Sequence, residues 1–361
     1  MLKKSLFLLC SLILFCLLLD VIPFGDPSES LTGWQPKPIT DSHLHVAGIG
    51  AGNSGCFVGK QISESYKFGI YLKAFGVSKE ELEVHGDELL VWRVSNAISE
   101  SKYVKKAVVL AMDGIIDPSG ELDTERTQVY VPNDFVARAV KKTDNLLFGA
   151  SINPYRKDAL LKLEEVKKEG AVLIKWIPSI MGIDPADEKI IPFYKKLVEL
   201  KLPLLSHAGQ ERSFAHADDT LGDPLKLELP LSLGVTVIAA HIATTGTQDG
   251  VDNFYRLHPL FEKYPNLYTD ISSLTQINKL GYLKEALDKP TLVSRMINGS
   301  DWPLQFFPLV SPWYHANHAR LADLQYVANS KNVFDRDVLL KKTLGVPDEV
   351  FERTEILLKR K

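Results

Sequence analysis

Val235-Thr-Val-Ile-Ala-Ala-His241 is the stretch from which the fold can be worked out. Before its final histidine it contains only apolar residues and one β-branched threonine, with no alternation between apolar and polar positions. Continuous apolarity over a short run is typical of a strand that is buried on both faces of a parallel sheet. Because parallel strands are joined by crossover helices, the surrounding sequence should alternate between strands and helices.

Seven further segments share this pattern. We predict strands at Ile39–Val46, Lys106–Met112, Leu146–Ile152, Ala171–Ile177, Leu202–Ser206, Val235–Ala240, Leu267–Ile271 and Met296–Asn298. Helical patterns separate them at Asp87–Glu100, Asp134–Lys142, Lys157–Lys168, Lys189–Glu199, Pro224–Leu233, Asp252–Lys263 and Tyr282–Asp288. Eight strands alternating with helices predict an α/β fold of the (β/α)8 TIM-barrel class, with a doubly wound sheet as the alternative.

The segment Gly48–Tyr103 separates the first two predicted strands, so we predict an insertion that forms a lid or rim over the barrel. Its start, Gly48–Gly55, is rich in glycine and follows a strand, as a dinucleotide-binding turn of a doubly wound sheet would. No helical pattern begins directly on these glycines, so we interpret them as a mobile rim loop. After the last strand we predict extra C-terminal helices at Pro312–Val327, Asp335–Leu344 and Asp348–Lys359.

The composition excludes some classes of function. The 361 residues include 42 basic and 45 acidic side chains, for a formal net charge of −3, so there is no basic footprint for nucleic acid. Of the three cysteines, only Cys56 lies outside the N-terminal apolar run, which leaves no disulfide framework and no Cys-x-x-Cys metal site. We expect a small-molecule substrate, and the sequence is compatible with a homo-oligomer.

The N-terminus has the pattern of an export signal. Two lysines precede the apolar run Ser5–Leu19, which has the length of a secretory signal. No small-x-small cleavage site is evident, so a retained membrane anchor over residues 5–24 is the alternative. The lysines favour an N-terminus inside and an exported, periplasmic or extracytoplasmic chain. We therefore predict a signal peptide or anchor over residues 1–30 and an enzyme domain over residues 31–361, with the proline-containing Ser28–Pro38 as a tether.

Polar side chains stand at the ends of the predicted strands, where a TIM barrel builds its active site. The first strand contains Asp41-Ser-His43-Leu-His45, and two histidines separated by one residue on a strand point to the same side. The complete set is His43, His45, Asp113, Asn153, Lys175, His207, His241, Asp270 and Asp301. One such histidine is ordinarily structural, and one such aspartate ordinarily forms a turn. Histidines after strands one, five and six, with an aspartate after strand eight, together indicate a metal centre.

This set resembles the amidohydrolase superfamily of metal-dependent hydrolases. Asn298-Gly-Ser-Asp301-Trp-Pro303 is similar to the branch called amidohydrolase-related or amidohydrolase 2, and the resemblance spans roughly Ile39 to Pro303. The resemblance implies that the metal ligands are His43, His45, His207 and Asp301. It also implies that His241 is a catalytic histidine that faces the substrate, or a ligand of a second metal in binuclear members.

Lys175 lies in the otherwise apolar fourth strand and has two interpretations. Some relatives have a lysine here that forms a carbamate bridging two metals, which requires a neutral amine. The branch indicated by Asp301 and its neighbours is mostly mononuclear, and there Lys175 would bind a substrate carboxylate or pair with an acid. We expect one ion rather than two.

Nitrogen and oxygen ligands without thiolate suit Zn²⁺ first, with Mn²⁺, Fe²⁺ or Co²⁺ as alternatives. With a metal-activated water, Asp301 can act as the catalytic acid and base, and His241 can polarise a carbonyl. We predict a metal-dependent hydrolase that cleaves an amide, lactone or ester-like bond of a small molecule. One alternative is a nonoxidative decarboxylase of an aromatic or enol acid, and another is an inactive barrel that acts as an anchored binding protein.

Overall fold

The computed structural model describes residues 16, 18, 19 and 21–359. Most of the predicted signal or anchor run, Ser5–Leu19, therefore lies outside the described residues. Within the part that is described, no helix combines the length and apolarity needed to cross a membrane. The division of the chain at residue 30 stays a prediction.

Eight parallel strands form the barrel, in the order in which they occur along the chain. Strands β1 to β8 are Ile39–His45, Val104–Leu110, Leu146–Ala150, Leu173–Trp176, Leu204–Ser206, Val237–Ala239, Leu267–Asp270 and Met296–Ile297. The predicted TIM barrel is confirmed, and each strand lies within two residues of its predicted bounds. Strand ends are the least certain part of any such prediction, because the last residues of a strand are held by few ladder hydrogen bonds.

Helices surround the barrel. Those described over their whole length are, as α1 to α16, Glu29–Thr32, Lys60–Ser63, Tyr66–Ala74, Lys79–His85, Glu88–Ser99, Asn133–Val140, Ala159–Lys168, Pro178–Met181, Ile191–Leu200, Glu228–Ser232, Asn253–Lys263, Tyr282–Leu287, Pro290–Val293, Leu321–Ala328, Val333–Thr343 and Asp348–Leu358. Two short antiparallel pairs lie outside the barrel, Phe57–Val58 with Val129–Tyr130 and Thr247–Gln248 with Val251–Asp252. The predicted helices Pro224–Leu233 and Pro312–Val327 each begin as a 3-10 turn, at Pro224–Leu227 and Pro312–His315.

The barrel interior and the layer between barrel and helices are separate apolar clusters. Inward-facing side chains such as Leu173, Leu205 and Ile238 form the interior cluster. Lys175 lies two residues after Leu173 on β4 and therefore shares its inward face. Because side chains along a strand alternate between its two faces, the amine of Lys175 points into the barrel near the carboxyl end of an otherwise apolar strand.

Strand β8 closes the barrel on β1 through the segment that follows it. The backbone N–H of Ser42 donates to Asn298 O at 3.1 Å, and that of Asp301 donates to His43 O at 2.8 Å. Gly299 is required at this contact, because a Cβ there would lie 2.9 Å from the Cβ of His43. Closure of the barrel therefore brings Asp301 beside the histidine pair of β1.

The insertion after β1 covers the carboxyl end of the barrel, as predicted, and forms one wall of the pocket there. Its glycine-rich start, Gly48–Gly55, is held by hydrogen bonds. The buried carboxylate of Asp87 accepts hydrogen bonds from Ile49 N at 3.1 Å, from Gly50 N at 3.0 Å and from the Ser54 hydroxyl. One buried carboxylate thus holds three groups of this loop, and its mobility stays a prediction.

The segment predicted to be a tether is also docked. Ser28 N donates to Asp323 Oδ1 at 2.6 Å, and the indole of Trp34 donates to Asp348 Oδ1 at 2.9 Å. Leu31 of α1 and Trp34 are both buried. The prolines in this segment therefore belong to a packed connection that lies against the C-terminal helices.

A buried cation lies beneath the closure between β8 and β1. Lys341 of α15 is fully buried, and its Nζ donates to Gly299 O and to Asp337 Oδ2, both at 2.6 Å. Burial raises the pKa of Asp337 to about 6. The lysine connects the C-terminal helices to the loop that carries Asp301.

We expect the substitution Lys341→Met to lower the free energy of unfolding by about 3 to 5 kcal/mol, because it leaves Asp337 and Gly299 O buried without their donor. The measurement is urea unfolding of the full-length protein. The control is Lys342→Met, which removes a partly exposed pair with Asp348 and should cost no more than about 1 kcal/mol. Equal effects of the two substitutions would contradict the structural role of Lys341.

Candidate metal centre

All six predicted site residues line one pocket at the carboxyl end of the barrel. They are His43, His45, Lys175, His207, His241 and Asp301. Five of them are buried, and His45 is partly exposed. Residues that stand as far apart in the sequence as His43 and Asp301 meet because parallel strands all present their carboxyl ends at one face.

The tightest group consists of His43, His241 and Asp301, of which one ligand atom each lies within 4.8 Å of the others. His45 adjoins this group, since its Nε2 lies 3.1 Å from His43 Nε2 and 3.5 Å from Asp301 Oδ1. His207 stands slightly apart, with its ring centroid 5.4 Å from that of His241. The assignment of individual ligands stays a prediction, and the geometry adds His241 to the candidates.

Asp270, at the end of β7, orients the ring of His43. Its Oδ2 lies 2.8 Å from His43 Nδ1, and both side chains are fully buried. A carboxylate only accepts hydrogen bonds, so Nδ1 carries the hydrogen and Nε2 presents its lone pair to the pocket. This is the tautomer that a metal ligand requires.

His241 is oriented in a similar way. Its Nδ1 lies 2.8 Å from the hydroxyl of Ser272, whose own hydrogen is donated to Asp270 Oδ1, and 3.1 Å from the carbonyl oxygen of Ser272. Both oxygens therefore accept from Nδ1, and the open Nε2 faces Asp301 Oδ2 at 3.9 Å. The turn that carries it is strained, because His241, Ile242 and the next residue have φ values of 57°, 54° and 51°. The backbone N–H of His241 donates to Asp270 Oδ1 at 2.9 Å, which helps to hold the turn.

Burial keeps the imidazoles neutral. Desolvation is the largest cause that lowers the pKa values of His43, His45 and His241 well below their ordinary range, and neighbouring cations add to it. Burial also lowers the pKa of His207 to about 4. All four rings are therefore uncharged at neutral pH and offer a lone pair to a cation.

Burial has the opposite effect on the acid of the site. It raises the pKa of Asp301 to about 7, against the attraction of Lys279 and Lys175. It lowers the pKa of Lys175 to about 8. A carboxyl group that titrates near pH 7 can both accept and return a proton under physiological conditions.

The donor set fits a divalent metal. It contains only nitrogen and oxygen, and the buried Nε2 of His207 has no hydrogen-bond partner among the described residues. An unsatisfied buried nitrogen costs about 1 to 3 kcal/mol, which a bound cation would offset. In the present arrangement Lys175 Nζ lies 2.9 Å from His43 Nε2, so the ammonium occupies a lone pair that a metal would take.

Some residues at strand ends form hydrogen bonds or ion pairs with loops and do not line the pocket. Asp113 forms a bidentate pair with Arg156 at 2.6 and 2.7 Å. The amide of Asn153 donates to the carbonyls of Gly114 and Met181. In the sequence, Asp113 and Asn153 stand at strand ends, as the histidines do. Only the folded path of the chain determines that their side chains contact loops.

Two residues at the site have functions that sequence patterns did not indicate. Asp270 has a visible strand-end position, but nothing in the sequence shows that it bonds to His43. Lys279 lies in the loop after β7, is buried, lines the pocket and donates to Ser273 Oγ at 2.6 Å. No spacing or neighbouring motif marks Lys279, because the loop alone determines where it lies.

Comparison with protein families gives one match, in which the amidohydrolase model aligns with residues 107–326, more than half of the chain. The matched segment includes His207, His241 and Asp301 and leaves out the β1 histidines. Comparison with curated protein sequences gives no match.

Three solved structures align with most of this chain. An uncharacterised TIM-barrel protein from Bordetella bronchiseptica has a TM-score of 0.54 and 16% identity, over 90% of this chain and 100% of that chain. Dihydroorotase from Campylobacter jejuni has a TM-score of 0.43 and 15% identity, over 86% of this chain and 81% of that chain. A 5-carboxyvanillate decarboxylase from Sphingomonas paucimobilis has a TM-score of 0.43 and 11% identity, over 87% of this chain and 99% of that chain. The likeness to the Bordetella protein shows the fold alone.

We expect Asp270→Asn to weaken metal binding about 10- to 100-fold, because an amide can donate to His43 Nδ1 and so move the hydrogen to Nε2. The measurement is titration of the metal-free protein with Zn²⁺ against a chromogenic chelator. The matched control is Asp288→Asn, which changes an exposed carboxylate and should leave the affinity unchanged. Unaltered affinity in Asp270→Asn would contradict the orienting role.

We expect metal affinity to depend on pH through Asp301. Its raised pKa means that the metal-free site holds a proton up to about pH 7, which an ion must displace at lower pH. Affinity should fall about tenfold for each pH unit below 7, since Asp301 must then release a proton and the histidines are already neutral. The same titration from pH 5.5 to 8.5 tests this, and Asp301→Asn should remove the dependence. A flat profile for the unchanged protein would refute it.

Proposed function

The chain belongs to the amidohydrolase family, and we propose from its site that it is a metal-dependent hydrolase of a small molecule. The bond cleaved would be an amide, a lactone or an ester-like bond. The observation that carries this proposal is the combination, in one pocket, of four neutral imidazoles with an aspartate whose pKa is about 7. Such a combination supplies both a metal site and an acid–base group.

The proposed ligands are His43, His45, His207 and Asp301, with Zn²⁺ as the first choice and one ion rather than two. A bound divalent ion supplies Lewis-acid activation of water and of the carbonyl that is attacked. Asp301 takes the proton of the attacking water and returns it to the leaving group.

The role of His241 follows from its tautomer. Because Nδ1 carries the hydrogen and donates to Ser272, the open Nε2 is an acceptor. It therefore suits a cation or a proton better than it suits a developing oxyanion. The donors that line the pocket include the buried ammonium groups of Lys175 and Lys279, and we propose that these stabilise the negative charge that develops on the substrate.

A nonoxidative decarboxylase is the second candidate. The two lysines could hold a substrate carboxylate, and Asp301 could transfer a proton to carbon. An inactive binding protein would need no titrating acid at Asp301. Export to the extracytoplasmic side, a membrane anchor and a homo-oligomer remain proposals that rest on the sequence.

The deciding experiment uses the full-length protein purified without chelator, because residues before the barrel pack against it. Elemental analysis gives the metal content, and panels of amides, lactones, esters and carboxylic acids give the reaction. Release of CO₂ would favour the decarboxylase. Absence of metal, with no activity after addition of Zn²⁺ or Mn²⁺, would favour the binding protein.

We expect Asp301→Asn to lower kcat by at least about 100-fold, with a much smaller change in KM, because the proton transfer is lost while the pocket is kept. Steady-state kinetics at saturating metal measure this, with metal content determined in parallel. Asp249→Asn is the control, because its carboxylate is exposed. Full activity in Asp301→Asn would refute the mechanism.

A further inference from the structure

An apolar chamber lies beside the metal centre in the same pocket. The cavity measures about 170 Å³, and its polar end contains the proposed ligands and the two lysines. The chamber wall formed by the insertion is apolar and comprises Val58, Ile62, Phe68, Tyr71, Leu72 and Phe75. The proposed reaction at Asp301 needs no apolar surface of this kind, so the chamber requires its own explanation.

Helix α3 supplies most of this wall. Phe68, Tyr71, Leu72 and Phe75 follow the i, i+3, i+4, i+7 spacing of one helical face, with Phe75 directly after the helix end. None of the nine residues of α3 is buried. An apolar helical stripe ordinarily packs against a protein core. Leu72 and Phe75 pack in part against a small buried apolar cluster of the same insertion, yet all four residues of the stripe also line the cavity. The stripe therefore covers the content of the pocket.

The helix is attached to the opposite rim. The hydroxyl of Tyr71 donates to Ser213 O, and Lys67 Nζ donates to Arg212 O at 3.2 Å. Phe214 of the same rim loop also lines the cavity. These bonds close α3 over the chamber as a lid.

The chamber is continuous with the reacting groups. The ring of Phe75 packs edge-on against Trp302 at 5.3 Å between centroids, and Trp302 directly follows Asp301. A molecule that fills the chamber would therefore present its polar end to Asp301 and the lysines.

We propose that the substrate is a carboxylic acid derivative with an apolar body, alkyl or aryl, next to the bond that is cleaved. The reaction part rests on the proposed function, whereas the binding part does not. In hydrolysis of a lactone, the bond between acyl carbon and ring oxygen breaks. The hydroxyl of water adds to the acyl carbon, and its proton passes to the leaving oxygen. Each additional buried methylene should strengthen binding about three- to fourfold.

The binding test uses carboxylates, because their binding can be measured without any catalysed reaction. Calorimetry on the full-length, zinc-loaded protein with butanoate, hexanoate and octanoate should show affinity that rises about three- to fourfold per methylene. The variants Phe68→Ala and Leu72→Ala should lower octanoate affinity at least about fivefold and leave butanoate within about twofold. Ile70→Ala, on the exposed side of the same helix, is the control and should change neither.

Equal affinity for the three acids, or an equal loss in Ile70→Ala, would overturn the proposal. A comparison of 4-phenylbutanoate with octanoate distinguishes an aryl from an alkyl body. The second arm measures kcat/KM for γ-lactones with short and long alkyl tails. Chain-length-dependent binding without hydrolysis would refute the proposed function and support the chamber assignment. Hydrolysis without preference for long tails would support the function and overturn the assignment.

Discussion

The hydrogen bond between His43 and Asp270 is the contact on which the geometry of the site depends. It joins β1 to β7 at the top of the barrel, where both side chains are fully buried. The same carboxylate accepts the backbone N–H of His241 and that of Ser272. One acceptor therefore sets the tautomer of one imidazole and the backbone position of another. Since a ligand ring must be held within narrow limits to bind a metal, this shared acceptor makes the two histidines a unit.

Desolvation connects this geometry to chemistry. The same buried environment makes the imidazoles neutral and makes Asp301 hold its proton up to about pH 7, because burial disfavours whichever form is charged. This burial costs free energy of folding. Among the described residues Nε2 of His207 has no hydrogen-bond partner, and two lysines lie inside the pocket. Buried polar groups left without partners in this way are typical of a functional site, and the histidine–aspartate cluster here could hold a metal ion.

The barrel and its insertion supply different parts of the pocket. Strand ends supply rigid positions for the groups that react, and the insertion supplies the lid whose apolar stripe closes the pocket. Attachment of α3 to the rim loop through Tyr71 and Lys67 links the two parts. The proposed ligands thus lie on or directly after barrel strands, whereas the proposed contacts to the substrate body lie in the insertion between strands, where this architecture usually carries specificity.

The sequence by itself determined the eight strands and the set of polar residues at their ends, because continuous apolar runs and their terminal residues are local patterns. It could not separate Asp270, which orients His43, from Asp113, which pairs with Arg156 in a loop. It also gave no sign of Lys279, or of the cavity that the stripe of α3 would face. Those outcomes depend on which side chains meet after barrel closure and on how completely water is excluded from them. Burial and distance between residues far apart in the chain exist only in the tertiary structure.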